Sequence, residues 1–182
     1  WHIICMRFEA LLKIVDDEPV FETGLLLAGG VNAADVRRQL SRWEAAGRVC
    51  QVRRGLYALA PPFARRKPHP FVVANRMMRG SYVSLQSALA FYNMIPDVVN
   101  LTLSVSTGRP ERLKTPSGIY QFRHVKTALL FGYKMIDFGG QSALVATPEK
   151  ALLDLIYFQT ASDMFPFLQS LRLQNLNQLD ID

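Results

Sequence analysis

NAADVRRQLSRWEAAGRVCQVRRGLYALA, residues 32–60, is the stretch on which the fold of this chain turns. Asn32 can accept a hydrogen bond from the free N–H groups of a helix start, and Asp35 is spaced to reach back as a capping-box partner, so a helix is expected from Ala33. Val36, Leu40 and Trp43 recur at i, i+4 and i+7 and form one apolar stripe. The opposite face carries Arg38, Ser41 and Arg42, flanked by Arg37. Gly47 suits the left-handed residue that closes a helix. A strand over 48–52, a turn at Arg53, Arg54 and Gly55, and a strand over 56–59 then make a hairpin with two arginines at its tip.

Upstream, Phe8, Leu11, Leu12 and Val15 predict a helix ended by Asp16, Asp17, Glu18 and Pro19 and packed under the arginine-bearing helix. Thr23 is spaced to cap a short helix over 24–28, and Gly29-Gly30 to supply a turn. Helix, helix, turn, helix and two-stranded wing make a winged helix-turn-helix within residues 3–60. A major groove about 12 Å wide admits one helix, whose outward face must offer donors to bases and phosphates. A basic wing beside it holds a neighbouring phosphate or enters the minor groove. The candidate DNA contacts are Asn32, Arg37, Arg38, Ser41, Arg42, Arg53 and Arg54. The competing reading is a solvated arginine face on a protein-interaction adaptor.

Charge is divided unevenly. Residues 1–80 hold 13 Lys and Arg against 7 Asp and Glu, a surplus of +6, whereas residues 81–182 hold 8 against 8. The whole positive excess lies in the half with the helix and wing, as a nucleic-acid footprint requires. Cys5 and Cys50 have no metal or redox spacing, and His2, His69 and His124 are scattered, so no metal site or cofactor is expected. No apolar run reaches the about 18 residues of a membrane helix, and no signal peptide is evident, which points to reduced thiols in a cytoplasm. Because the first residue is Trp1 and not Met, the sequence leaves room for a segment upstream.

Pro61, Pro62, Pro68 and Pro70 mark residues 61–70 as a linker, whose Arg65, Arg66 and Lys67 either follow a DNA backbone or keep the segment solvated. Residues 71–182 read as a second domain. Helices are expected over 71–78 and 85–92, the latter capped by Ser84, burying Leu85, Ala88, Leu89 and Tyr92 and stopped by Asn93. Strands are expected over 98–106 and 119–125, with a turn over 107–110 between them. Gly139-Gly140 joins strands 133–138 and 141–146 in a hairpin. Thr147, Pro148 and Glu149 then open a helix with Ala151, Leu152, Leu155 and Ile156 as its buried stripe. The fold class is thus α+β: a winged helix-turn-helix over 1–60, the linker, and a small α+β domain with a mostly antiparallel sheet. The leucine-bearing end, FPFLQSLRLQNLNQLDID, carries no stop signal, so the natural chain is expected to continue.

An enzyme is the competing class. A nuclease needs acids and a lysine converging on a metal, for which Asp137, Glu149, Lys150 and Asp154 are the candidates. Glu149 and Lys150 sit at a helix start, where capping accounts for them, and Asp137 precedes a Gly-Gly turn. Ser84 reads as a cap and Cys50 as a core residue, so neither is taken for a nucleophile. Gly29-Gly30 lacks the strand and lysine of a nucleotide loop. Tyr82, Phe91, Tyr92 and Met94 are either core or an aromatic patch for a partner protein.

Four stretches together resemble the AbiEi family of antitoxins from abortive-infection toxin-antitoxin systems: RRGLYALA at 53–60, SYVSLQSALAFYNMIP at 81–96, SVSTGRP at 104–110 and ATPEKALLDLIYF at 146–158. The resemblance implies an N-terminal winged helix that represses its own operon by binding inverted repeats in double-stranded DNA, as a monomer or a dimer. It also implies a C-terminal domain that counters a neighbouring nucleotidyltransferase-like toxin without a stable complex. It puts DNA contact on Arg37, Arg38, Ser41, Arg42, Arg53 and Arg54 and assigns no catalytic residue, so the chain is not expected to be an enzyme.

Overall fold

The computed structural model describes residues 6–27, 31–97, 99–159 and 164–180. Cys5, His2, the Gly29-Gly30 turn and the Val98 start of an expected strand lie outside the described residues. The chain divides into two compact units, Trp1–His69 and Pro70–Asp182.

In the first unit the elements run α1 (Phe8–Val15), β1 (Phe21–Glu22), α2 (Thr23–Leu26), α3 (Ala33–Ala45), β2 (Val49–Arg53) and β3 (Leu56–Leu59), with an antiparallel sheet in the order β1-β3-β2. Its core joins Phe8, Leu11 and Val15 of α1 to Val36, Leu40 and Trp43 of α3. Phe8 and Trp43 meet edge to face at 5.5 Å, a geometry worth about 0.5–1.5 kcal/mol beyond the buried area. At the start of α3, Asn32 Oδ1 accepts from Ala34 N at 2.8 Å. Asp35 does not complete a capping box; its carboxylate takes the Arg38 guanidinium at 3.0 Å instead, since that charged donor lies on the same face. At the other end Gly47 has φ +65, and the N–H groups of Gly47 and Arg48 donate to Glu44 O and Trp43 O, the pairing of a Schellman stop.

Two features of this unit depart from the sequence reading. Phe21 and Glu22 add a strand to the hairpin, opposite Tyr57 and Leu56, and α2 begins at Thr23 itself. The Thr23 hydroxyl therefore caps nothing and donates to Gly55 O at 3.3 Å. Residues 61–70 are also not all loose chain. Phe63 and Ala64 pack on the core, with the Phe63 ring 4.9 Å from Phe8, and Arg65 reaches Asp16 and Asp17 beyond the end of α1. An apolar ring and a cation find complementary partners there, and the division between the units falls after His69.

The second unit contains α4 (Pro70–Met77), β4 (Tyr82–Val83), α5 (Leu85–Phe91), β5 (Thr102–Ser106), β6 (Glu111–Thr115), β7 (Gly118–His124), β8 (Tyr133–Asp137), β9 (Ser142–Ala146), α6 (Pro148–Tyr157) and α7 (Met164–Ser170). The sheet is larger and more mixed than expected: six strands in the order β6-β7-β5-β4-β9-β8, with β4–β9 and β5–β7 parallel and the other pairs antiparallel. α4 packs on β4, β5 and β9, and Asn75 ties it down by donating to Ser81 O and accepting from Leu144 N. α6 lies on the face to which Tyr82 and Ser84 point. The β8–β9 turn uses Gly139 and Gly140, both at positive φ, and Asn93 at φ 55 ends α5. Leu85, the first residue of α5, also has a left-handed φ of 57.

The buried face of α6 is not the apolar stripe read from the sequence. Ile156 is exposed, while Lys150 and Asp154 are buried with Ala151 and Leu155. Ser84 likewise makes no side-chain cap; its hydroxyl donates to Asp154 Oδ2 at 2.6 Å. A buried carboxylate needs donors more than a helix start needs an acceptor, because one orphan N–H is readily hydrated and a buried charge is not. Of the four aromatic-patch candidates, Tyr82 and Met94 are wholly buried.

Candidate nucleic-acid interface

Trp43, Leu40 and Val36 fix how α3 is turned. With those three buried, the 3.6-residue period leaves Arg37, Arg38, Ser41 and Arg42 on solvent, where the structure places all four. Arg38 is held by Asp35 with 62% of its side chain exposed. A surface pair of this kind is worth at most about 1 kcal/mol, so the guanidinium can exchange the carboxylate for a stronger anion. Among the described residues nothing pairs with the guanidinium of Arg37 or Arg42. Arg42 sits in the last turn of α3, where the helix dipole favours a cation.

The β2–β3 hairpin carries Arg53 at the end of β2 and an exposed Arg54 in the turn, which Gly55 closes with φ +81. Two contacts hold it against the helices and a third ties its two strands together, and none was read from the sequence. Thr23 N and Thr23 Oγ1 both donate to Gly55 O, fixing the turn to the start of α2. Gln51 N donates to Glu44 Oε1 at 3.2 Å, fixing β2 to the end of α3. Gln51 Nε2 donates to the Tyr57 hydroxyl at 3.0 Å. Burial, then the Glu44 carboxylate, push the Tyr57 phenol above its ordinary value, and the Gln51 hydrogen bond partly offsets them. Thr23 and Glu44 are polar residues whose partners lie far away or across a turn, which left no local signal in the sequence.

Other predicted contacts are placed differently. Asn32 spends its side-chain oxygen on the helix cap. Arg65 lies with Asp16 and Asp17 beyond α1. Arg66 and Lys67 are exposed. Arg48, absent from the predicted set, is exposed and lies with its guanidinium 5.0 Å from the centre of the Phe8 ring.

The acids weighed for metal chemistry are engaged separately. Asp137 accepts from Gly140 N at 3.0 and 3.1 Å in the β8–β9 turn. Glu149 accepts from Asp180 N at 2.9 Å; burial raises its pKa, but that bond, the Thr147 hydroxyl and nearby Lys134 outweigh it and hold the carboxyl below its ordinary value. Lys150 and Asp154 pair inside the unit. Among the described residues no three His, Cys, Asp or Glu side chains are grouped to hold a metal, and no helix is long and apolar enough to cross a membrane. Cys50 is a half-buried free thiol on β2. Set against known proteins, the chain matches no family model and no curated protein.

Proposed function

We propose that this chain is a DNA-binding autorepressor. Its first unit acts as a winged helix-turn-helix, with α3 in a major groove and the β2–β3 hairpin as the wing. The observation that carries this reading is the α3 face of Arg37, Arg38, Ser41 and Arg42, set opposite the buried Val36, Leu40 and Trp43. The element order α1-β1-α2-α3-β2-β3 and the confinement of the charge surplus to residues 1–80 support it. Docking is driven by charge first, through phosphate contacts, and base reading follows. An inverted-repeat operator would take two copies, as a dimer or as two monomers side by side.

The resemblance to AbiEi antitoxins extends the proposal to the second unit. It would counter a nucleotidyltransferase-like toxin encoded in the same operon, without a stable complex and in the cytoplasm. The test is fluorescence anisotropy of labelled duplex from immediately upstream of the gene, titrated at two salt concentrations beside a scrambled duplex. Tight, salt-sensitive binding that prefers the native sequence is expected. Equal, weak binding to both duplexes would remove the repressor reading and favour a protein-contact role for the arginine face.

A further inference from the structure

The face of the six-stranded sheet that carries α6 is covered at one end and open at the other. Register defines it: Tyr82 lies beside Val105, Val105 beside Arg123, and Gln121 beside Arg112, while residues two apart on one strand share a side. α6 covers the Tyr82 end, where Asp154 accepts from the phenol. Between the C-terminal end of α6, the start of α5 and strands β5 and β7 lies a cleft of about 510 Å³, within the range of about 300–1,000 Å³ usual for small-molecule sites.

The floor of the cleft is apolar, formed by Leu85, Leu103 and Leu155, and its rim carries Gln86, Gln121 and Arg123. The Gln86 and Gln121 amides have no hydrogen-bond partner among the described residues, so each keeps a donor group and an acceptor for a ligand. Arg123 lies with its guanidinium over the Phe158 ring, 4.4 Å from its centre, a contact that leaves its charge unneutralised. Arg112 and Lys114 continue the same face along β6 and are exposed. The acid of these strands, Glu111, pairs with Phe122 and so lies on the other face.

The geometry points to a binding site for a nucleoside phosphate. Its planar base enters the apolar slot beside the Arg123–Phe158 stack, its polar edge meets the Gln86 and Gln121 amides, and its phosphate lies toward Arg112 and Lys114. Gln and Asn amides suit a base edge because each presents a donor and an acceptor side by side. The cationic face disfavours a positively charged ligand, and a cleft of this volume fits one base with its sugar better than a duplex, whose bases are stacked. The site lies within the second unit and does not depend on the DNA-binding reading.

The test is isothermal titration of the whole chain, without DNA, with AMP, GMP, CMP, UMP, the corresponding triphosphates, inorganic phosphate and a short single-stranded oligonucleotide. At least one nucleotide is expected to saturate with a Kd below about 1 mM, with no competition from inorganic phosphate. Gln121→Leu and Gln86→Leu should each weaken it about tenfold, and Arg123→Met more, with thermal midpoints unchanged. If Arg123→Met does not fold, the two glutamine variants, at half-exposed positions, carry the test alone. The site is overturned if no nucleotide saturates, if both glutamine variants bind as the parent does, if inorganic phosphate binds as tightly as the nucleotides, or if the oligonucleotide binds and the mononucleotides do not.

Discussion

Lys150 and Asp154, one turn apart on α6, form an ion pair with Nζ 2.5 Å from Oδ1 and only 4% and 2% of their side chains exposed. The other carboxylate oxygen accepts from the Tyr82 phenol at 3.0 Å and the Ser84 hydroxyl at 2.6 Å. The ammonium also sits 4.7 Å from the centre of the Phe131 ring, and Gly132 leaves room for the lysine stem, since a Cβ there would come within 3.0 Å of it.

Breaking a buried pair strands a charge, at a cost of about 3–5 kcal/mol, whereas replacing both partners with apolar groups is often close to neutral. Lys150→Met should therefore destabilise the second unit by about that amount, and Lys150→Met with Asp154→Leu should recover much of it. Urea unfolding followed by circular dichroism measures both; a double variant no more stable than the single would show that the pair is not what the site rests on.

Alkaline pH should unfold the protein through its buried phenols. Burial, then the Asp154 carboxylate, hold the Tyr82 phenol far above its ordinary ionisation, and burial also raises Tyr57, Tyr92 and Tyr120. A raised folded pKa gives stability that is complete below the unfolded value, about pH 10, and is lost as pH climbs beyond it, at about 1.4 kcal/mol per unit for each group. Tyr82→Phe should make that alkaline decline shallower by one group. An unchanged slope between pH 10 and 11.5 would count against it.

Asn32 is an N-cap here, so Asn32→Ala should cost about 1 kcal/mol of stability. Asn32→Asp keeps the acceptor and should preserve the fold. If Asn32 touches DNA as well, the aspartate variant will fold normally but bind the operator more weakly; equal affinity would confine the residue to capping.

The arginines should separate by position. Losing a base contact costs about 1–3 kcal/mol and relaxes specificity, and losing a phosphate contact lowers the salt slope by about 1. Arg38→Ala and Arg42→Ala are expected to fall in the first group and Arg54→Ala in the second. Arg65→Ala should leave base specificity unchanged, because Arg65 lies beside Asp16 and Asp17 beyond the end of α1 and not on α3. Anisotropy over a salt series decides, and wild-type behaviour from Arg38→Ala, Arg42→Ala and Arg54→Ala together would refute the assignment of the α3 face.

How much of this was legible depended on how local the signal was. The cap, stripe and glycine stop of α3 lie within sixteen consecutive positions, 32–47, and α3 came out with its start as read. β1 and β4 span two residues each, too short for any period, and are strands only because β3 and β5 lie beside them. β6, ERLKT, is not among the strands expected from sequence: it carries one apolar residue, and both its faces are partly open at the sheet edge. Lys150 and Asp154 stand at i, i+4 on one helix, but the hydroxyls that meet the carboxylate, those of Tyr82 and Ser84, are 72 and 70 positions away. The cleft likewise gathers side chains from α5, β7 and α6, which no window of sequence unites.

The position of β4 in the middle of the sheet has a consequence for synthesis. β4 gains its antiparallel neighbour β5 soon after it leaves the ribosome, but its parallel neighbour β9 follows only after β5, β6, β7 and β8. At about 5–20 residues per second, that side of β4 stays unpaired for a period on the order of seconds while the first unit is already complete. In a polysome, the β8–β9 hairpin of a chain further ahead can fill the gap, so exchange of this hairpin between nascent copies is the misassembly to which the topology is most open.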